Sequence, residues 1–224
     1  MKRSEPFARH DWVWLPEGWR GLLGQSLTPD DEQAVADWVA RKRPLVAARR
    51  LDEDPPGFVR LGLALPGKRR IGLLVLAQAL TMSRAPLYFL DAAAVVAEAF
   101  TGAGAELARR IEKVAPQTRV FGSIAWQFFA GDPACRYVTP ESDIDLLLRP
   151  DTAAQLWRWI DMLHDFEQDF PAPRLDGEIA LPDGSFVAWR EFAARPNRVL
   201  AKSSAGVSLR RLEELESLLV ARAA

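Results

Sequence analysis

Two short motifs in the second half of the chain carry groups suited to phosphate chemistry. A Gly-Ser pair, Gly122 and Ser123, follows one apolar run, and an Asp-x-Asp triplet, with Asp143 and Asp145, heads another. In a strand, residues i and i+2 project from the same face, so we expect the two carboxylates to point the same way. Because like charges repel, this arrangement needs something positive between them. The spacing therefore predicts a bound cation.

Mg²⁺ is the cation that this pattern favours. It prefers oxygen ligands and is usually held by one or two carboxylates together with substrate phosphates. Gly122 lets a ligand approach the backbone closely, and Ser123 begins a predicted helix whose free amide groups attract phosphate. Alone, a Gly-Ser pair is commonly a turn, and an Asp-x-Asp is often a solvated strand entry or a helix cap. Together, in this order, they predict a site for phosphate and Mg²⁺.

The sequence around these motifs alternates between strand-like and helix-like stretches. Its first helix is predicted with Thr28 as the N-cap and Pro29 at the first helical position, and a later one with Asp91 as its cap. The predicted order is a helix at 28–43, strands at 44–51, 57–66 and 69–76, helices at 91–100 and 105–115, a strand at 118–122, a short helix at 123–129, a strand at 142–148, a helix at 151–170, a hairpin of 174–181 with 185–192, a strand at 198–203 and a closing helix at 209–223.

This order of elements predicts an α+β fold with two domains. The first part of the chain reads as a small N-terminal α/β domain, and the second as a mixed sheet covered by helices. The pattern changes from strands to helices around residues 83–86, so we predict domains at 1–83 and 84–224.

Composition excludes several classes of function. Charged residues make up 26% of the 224 residues and the formal net charge is -1, which gives no broad attraction to nucleic acid or to an anionic membrane. One cysteine, Cys135, and two histidines are too few for a disulfide or a Cys/His zinc site. The longest apolar stretch, near 71–80, is too short to span a bilayer, and no apolar leader is visible. We expect a soluble, cytoplasmic protein without nucleic-acid or membrane partners.

The combined motif resembles the nucleotidyltransferase superfamily related to DNA polymerase beta. That resemblance rests on a strand, Gly122-Ser123, a helix, and then a strand with Asp143 and Asp145. It implies a third carboxylate on a later strand, for which Asp176 and Glu178 are an i, i+2 pair in the predicted hairpin. We prefer Asp176 and keep Glu178 as the alternative, and either could instead be a charge at the hairpin edge. All four acids are candidate catalytic residues, and the resemblance implies that Mg²⁺ is held by Asp143, Asp145 and Asp176.

A closer resemblance covers nearly the whole chain. It is carried by "RHDWVWL" at 9–15, "RPLVAARR" at 43–50, "LGLALP" at 61–66, "FGSIAWQFFAG" at 121–131, "SDIDLLL" at 142–148, "DGEIALPDGSFVAWREF" at 176–192 and "VLAKS" at 199–203. These segments together resemble the malonate decarboxylase holo-acyl-carrier-protein synthases, also called phosphoribosyl-dephospho-CoA transferases. The resemblance implies a small N-terminal domain followed by a polymerase-beta-like nucleotidyltransferase domain.

The resemblance also implies a reaction and its partners. The substrate would be 2'-(5''-triphosphoribosyl)-3'-dephospho-CoA, and the acceptor a serine of the acyl-carrier subunit of malonate decarboxylase, with release of diphosphate. The related citrate lyase carrier uses the same prosthetic group and stays an alternative acceptor. Two other functions stay open: a generic nucleotidyltransferase that uses a nucleoside triphosphate, and a non-catalytic, antitoxin-like binding protein on the same scaffold.

Such a substrate carries more negative charge than two metal ions cancel, so cationic side chains should converge on the site. Lys202, Arg136 and Arg190 are the candidates, beside Gly122 and Ser123 as the cradle for the outer phosphates. Lys202 lies on a predicted strand after the hairpin, which favours it, although a solvated lysine at a strand end would look the same in sequence.

Overall fold

A computed structural model of the chain describes residues 7–132, 134–203 and 206–220. Helices and two sheets alternate along it, which confirms the mixed α+β class. The backbone divides into two compact units, Met1–Pro86 with Phe129–Tyr137, and Leu87–Phe128 with Val138–Ala224. The sequence had placed one boundary after residue 83, without the return of 129–137 to the first unit. That the predicted ranges are separate domains stays a prediction.

The described part of the first unit contains one α-helix, short 3-10 helices and a five-stranded antiparallel sheet. Its elements are β1 (Trp12–Val13), α1 (Pro29–Ala40), β2 (Leu45–Ala47), β3 (Phe58–Ala64), β4 (Arg70–Leu76) and β5 (Ser83–Arg84). The strand order is β4-β3-β2-β1-β5. At the start of α1 the Thr28 hydroxyl accepts a hydrogen bond from the Asp31 amide at 3.2 Å, so the predicted cap is confirmed. The predicted pairing of 44–51 with 57–66 is also confirmed, as β2 with β3.

The segment Phe129–Tyr137 packs within the first unit. The Phe129 ring lies 4.6 Å from the Trp12 ring, centroid to centroid. The Tyr137 hydroxyl donates a hydrogen bond to the Ala64 carbonyl at 3.1 Å. A stretch that follows the Gly-Ser motif in sequence is therefore anchored to β1 and β3.

The second unit is built on a seven-stranded sheet. Its elements are β6 (Leu87–Tyr88), α2 (Ala93–Ala99), α3 (Ala103–Val114), β7 (Arg119–Val120), α4 (Gly122–Ala130, whose last two residues belong to the first unit), β8 (Ile144–Leu148), α5 (Ala153–Asp169), β9 (Leu175–Ala180), β10 (Phe186–Ala188), α6 (Trp189–Ala193), β11 (Arg198–Ser203), β12 (Gly206–Arg211) and α7 (Leu212–Val220). The strand order is β12-β11-β10-β9-β8-β7-β6. β8 and β9 pair in parallel, and the other neighbouring strands are antiparallel.

The two faces of this sheet differ in chemistry. Alternate residues of the strands, Ile144, Leu146 and Leu175 among them, are fully buried in one core with side chains of α5 such as Trp159. Because side chains alternate across a strand, the residues between them point to the other face, and Asp145 and Asp176 are on that face. The helices thus cover one face and the candidate acids lie on the other. Within the described residues, no helix is both long and apolar enough to cross a bilayer.

Three predicted elements need correction. Asp91 does not cap a helix, because α2 starts after Ala92 without a side-chain cap. The strand predicted over 185–192 ends at Ala188, since Trp189 and Phe192 are buried at the i, i+3 spacing of α6. The closing helix predicted over 209–223 starts only at Leu212, because 206–211 forms β12 and its backbone pairs with β11. Residues 221–223 of that predicted helix lie outside the described residues.

Gly177 is the residue that allows β8 and β9 to come together. It lies opposite Leu146 with φ at 144°, a conformation that L side chains rarely adopt. A Cβ at this position would lie 2.8 Å from both the carbonyl carbon and the amide nitrogen of Leu146. Any side chain here would push the two strands apart.

We expect Gly177→Ala to lower the free energy of unfolding by about 3 kcal/mol, because an atom is forced against backbone that cannot rotate away. Gly184 is the matched control, since its φ is also positive, at 81°, but a Cβ would meet nothing within 4 Å. Gly184→Ala should cost only about 1 kcal/mol of backbone strain. Urea unfolding followed by circular dichroism measures both, and equal losses would contradict this account of Gly177.

Candidate functional site

The Gly-Ser motif lies at the first turn of α4, directly against β8. The Phe121 amide donates a hydrogen bond to the Asp145 carbonyl at 3.1 Å, which fixes the chain just before the helix. Gly122 has φ at 63°, and a Cβ there would lie 2.8 Å from the Asp145 carboxyl carbon and overlap one carboxylate oxygen. The Asp145 carboxylate therefore occupies the space that any side chain at 122 would need. The two motifs identified in the sequence meet at this point.

The second carboxylate of the site comes from the neighbouring strand. Asp145 of β8 and Asp176 of β9 are register partners in the parallel pair, so both side chains leave the same face of the sheet. Neighbouring strands are about 4.8 Å apart, which places these two carboxylates side by side. Asp143 lies one residue before β8, and its carboxylate is 3.6 Å from the Arg174 guanidinium. The sequence predicts Asp143 and Asp145 as residues i and i+2 of one strand. In the structure only Asp145 is in the strand, and Asp143 lies in the loop before it.

Glu178 lies farther along β9 and has a cationic partner of its own. It is opposite Leu147 and only 7% exposed, and its Oε1 atom is 3.4 Å from the Nζ atom of Lys202. Asp176, by contrast, accepts a hydrogen bond from the Gly177 amide at 2.8 Å and forms no ion pair with the residues that the structure describes. Position beside Asp145 favours Asp176 as the third acid, and the assignment stays a prediction.

Arg190 contacts the strand that carries Asp176. From α6, its guanidinium donates hydrogen bonds to the Glu167 carboxylate and, at 2.9 Å, to the Leu175 carbonyl. The Glu167 carboxylate also accepts from the Leu175 amide at 3.1 Å. Arg190 thus fixes the residue immediately before Asp176, and its predicted contact with substrate stays a prediction.

Two further basic residues bear on the site prediction, one in each unit. Arg136 is exposed and belongs to the segment of the first unit. Arg174, in the second unit, was missed by the sequence analysis although it forms an ion pair with Asp143. The signal was its place directly before the "LDGEIA" strand. This position indicates closeness to Asp143 only when β9 is known to pair in parallel with β8. In that pairing the Ile144 amide donates a hydrogen bond to the Arg174 carbonyl at 3.0 Å.

The donor set is suited to a hard cation without being a closed metal site. Among residues 7–132, 134–203 and 206–220, no three His, Cys, Asp or Glu side chains converge as a preformed metal site. Asp145 and Asp176 offer two adjacent carboxylates beside a helix start, where the absence of a side chain at Gly122 leaves room for the Asp145 carboxylate. Mg²⁺ is characteristically bound by one or two carboxylates with the other positions taken by water and substrate phosphate. These residues therefore fit a magnesium ion that is bound together with its substrate.

Comparison with known proteins covers almost the whole chain. The family model described as the phosphoribosyl-dephospho-CoA transferase MdcG N-terminal domain matches residues 8–86, and the MdcG C-terminal domain model matches residues 85–213. A phosphoribosyl-dephospho-CoA transferase of Xanthomonas campestris pv. campestris is 36% identical over 204 residues, covering 90% of this chain and 92% of that protein. One of Xanthomonas euvesicatoria is 36% identical, covering 88% and 90%, and one of Bradyrhizobium diazoefficiens is 32% identical, covering 89% and 88%.

No solved structure matches the chain significantly. The two family models together extend from residue 8 to residue 213, and the relatives are matched over most of their own length. The residues of the candidate site, from Gly122 to Lys202, all fall inside the range of the C-terminal model. The chain therefore belongs to the phosphoribosyl-dephospho-CoA transferase family.

Proposed function

We propose that this protein transfers the 2'-(5''-phosphoribosyl)-3'-dephospho-CoA group from its 5''-triphosphate to a serine of the malonate decarboxylase acyl-carrier subunit. Diphosphate is the second product. Family membership supports the transferase class and the CoA-derived substrate. The malonate decarboxylase carrier comes from the sequence resemblance alone. A single cysteine suits a reducing compartment, so we place the reaction in the cytoplasm.

The contact between Gly122 and Asp145 is the observation that carries this proposal. It brings a helix start, which attracts phosphate, against a carboxylate that is adjacent to a second one, Asp176. Two carboxylates side by side are unfavourable unless a cation lies between them. A triphosphate that binds with Mg²⁺ supplies both the anion for the helix start and the cation for the acids.

Each group in the site has a distinct task in the proposed reaction. Asp145 and Asp176 would hold Mg²⁺, with Asp143 as the third ligand, and the ion would supply stabilisation of negative charge on the attacking and leaving oxygens. The amides at Gly122 and Ser123 orient the outer phosphates. Lys202 neutralises charge on the same sheet face, next to Glu178.

The proposed reaction forms one bond to phosphorus and breaks another. The carrier serine Oγ attacks the innermost phosphorus of the triphosphate, and the bond from that phosphorus to the bridging oxygen breaks. A phosphodiester forms on the serine, and the outer two phosphates leave as diphosphate. The serine proton passes to a carboxylate on β9, either that of Asp176, the register partner of Asp145, or that of Glu178 two residues farther on.

Intact mass of the carrier tests the substrate. The purified chain is incubated with the malonate decarboxylase carrier subunit, Mg²⁺, and either triphosphoribosyl-dephospho-CoA or ATP. We expect a mass increase only with the CoA derivative, one diphosphate released per carrier, and loss of the reaction when EDTA removes Mg²⁺. Modification from ATP would support a generic nucleotidyltransferase, and no transfer from either would support a non-catalytic binding protein. The citrate lyase carrier, added in parallel, tests acceptor choice.

Removal of one carboxylate charge at the site should abolish transfer. Asp143→Asn and Asp145→Asn each remove a metal ligand without changing side-chain volume, so we expect rates below about a hundredth of the wild-type rate with an unchanged melting temperature. Asp161→Asn makes the same chemical change on an exposed position of α5 and should retain the full rate. More than a tenth of the wild-type rate in both site variants would contradict the assignment.

Gly122→Ala tests the contact between the two motifs. The new Cβ must displace the Asp145 carboxylate, so we expect the transfer rate to fall by about 10- to 100-fold, the range of a lost positioning interaction. Gly131 follows the other end of α4 with φ at 60°, and a Cβ there would meet nothing within 4 Å. Gly131→Ala therefore introduces the same backbone strain without the displacement, and an equal loss of rate in both variants would argue against this role of Gly122.

A further inference from the structure

The hairpin of β11 and β12 exposes a mixed basic and apolar surface. Three register pairs lie on one face of it, and we call these six residues the hairpin face: Arg198 with Arg211, Leu200 with Leu209, and Lys202 with Val207. The apolar members are unusually open, with exposed fractions of 40% for Leu200, 51% for Val207 and 58% for Leu209. Val199 and Ala201, between them on β11, are buried in the core on the other face.

Two arginines on the hairpin face lie where their charges destabilise the pairing of β11 with β12. Arg198 and Arg211 are directly opposite each other and both are exposed, and like charges at such positions destabilise a pair of strands. Neither forms an ion pair with any residue that the structure describes, including Glu213 and Glu214 in the first turn of α7. Arg210, which points to the opposite face of β12, is paired with Asp183. Unlike Arg210, the two opposed arginines have no acidic partner in the part of the chain that the structure describes.

The hairpin face is continuous with the candidate active site. Lys202 is a register partner of Val207 on one side, and its ammonium group is 3.4 Å from Glu178 on the other. Glu178 follows Asp176 by two residues on β9 and projects from the same face. From Lys202 the face extends four residues along β11 to Arg198, about 13 Å at the rise of a strand.

We propose that the hairpin face is the docking surface for the acceptor protein, and this rests on the proposed function. The partner is a small acidic carrier that places acidic side chains against Arg198 and Arg211 and apolar side chains on Leu200, Val207 and Leu209. About two and a half turns of an amphipathic helix span the 13 Å of the face, with the modified serine at the end nearest Lys202. Substrate phosphates are the poorer occupant, because exposed aliphatic side chains offer them no hydrogen bond.

Arg198→Glu separates docking from folding, because it converts the repulsive pair into an attractive one. Thermal stability should stay the same or rise. The affinity of the unmodified carrier subunit for the chain, measured by calorimetry without triphosphate, should fall at least 5-fold, and the KM for carrier should rise by a similar factor. The KM for triphosphoribosyl-dephospho-CoA should stay within twofold. Arg158→Glu, at an exposed position of α5, changes charge equally and should alter none of these values.

Other results distinguish failure of the docking surface from failure of the proposed function. Unchanged carrier affinity in Arg198→Glu would overturn the docking surface, and a rise in the KM for the CoA derivative alone would assign the arginines to substrate phosphate. A wild-type chain that binds the carrier through this face but transfers nothing would overturn the proposed function and leave the surface in place. A wild-type chain that neither binds nor modifies the carrier would overturn both. Restored affinity between Arg198→Glu and a carrier with an acid changed to lysine would support the proposal.

Discussion

The parallel pairing of β8 with β9 is the constraint on which the proposed active site depends. It sets Asp145 opposite Asp176, and no other pair of strands in the described part of the second unit runs parallel. The pairing is close because Gly177 leaves no atom between the strands. Two carboxylates on neighbouring strands repel each other, and the backbone hydrogen bonds of the sheet hold them side by side against that repulsion.

Gly122 adds the second half of that arrangement. The free amides at a helix start can bind an anion only where the anion can come near them. The absence of a side chain at Gly122 leaves room for the Asp145 carboxylate beside this helix start. The groups that we propose for binding phosphate and Mg²⁺ thus lie directly against each other. The overall charge of the chain contributes little to the attraction of an anionic substrate, because the net charge is only -1. Basic side chains must therefore be placed close to the site, as Lys202 is beside Glu178 and Arg174 beside Asp143.

Local sequence signals predicted much of this and failed where distant strands decide the outcome. Thr28 and Pro29 predicted the start of α1, since a helix cap depends on residues close together in the chain. The Gly-Ser and Asp-x-Asp motifs indicated two segments that the fold brings against each other. The register of β8 with β9 could not be predicted, because pairing of strands about 30 residues apart leaves no periodicity in either. Residues 209–211 of β12 were assigned to the closing helix for the same reason: their strand conformation depends on backbone pairing with β11.

The network around Arg190 has a consequence for how such chains diverge in evolution. Arg190 and Glu167 together hold both the amide and the carbonyl of Leu175, the residue before Asp176. Loss of either side chain would leave a half-buried charge unmatched and release the start of β9. Substitutions at these two positions are therefore constrained to occur together, even though neither residue need touch a substrate.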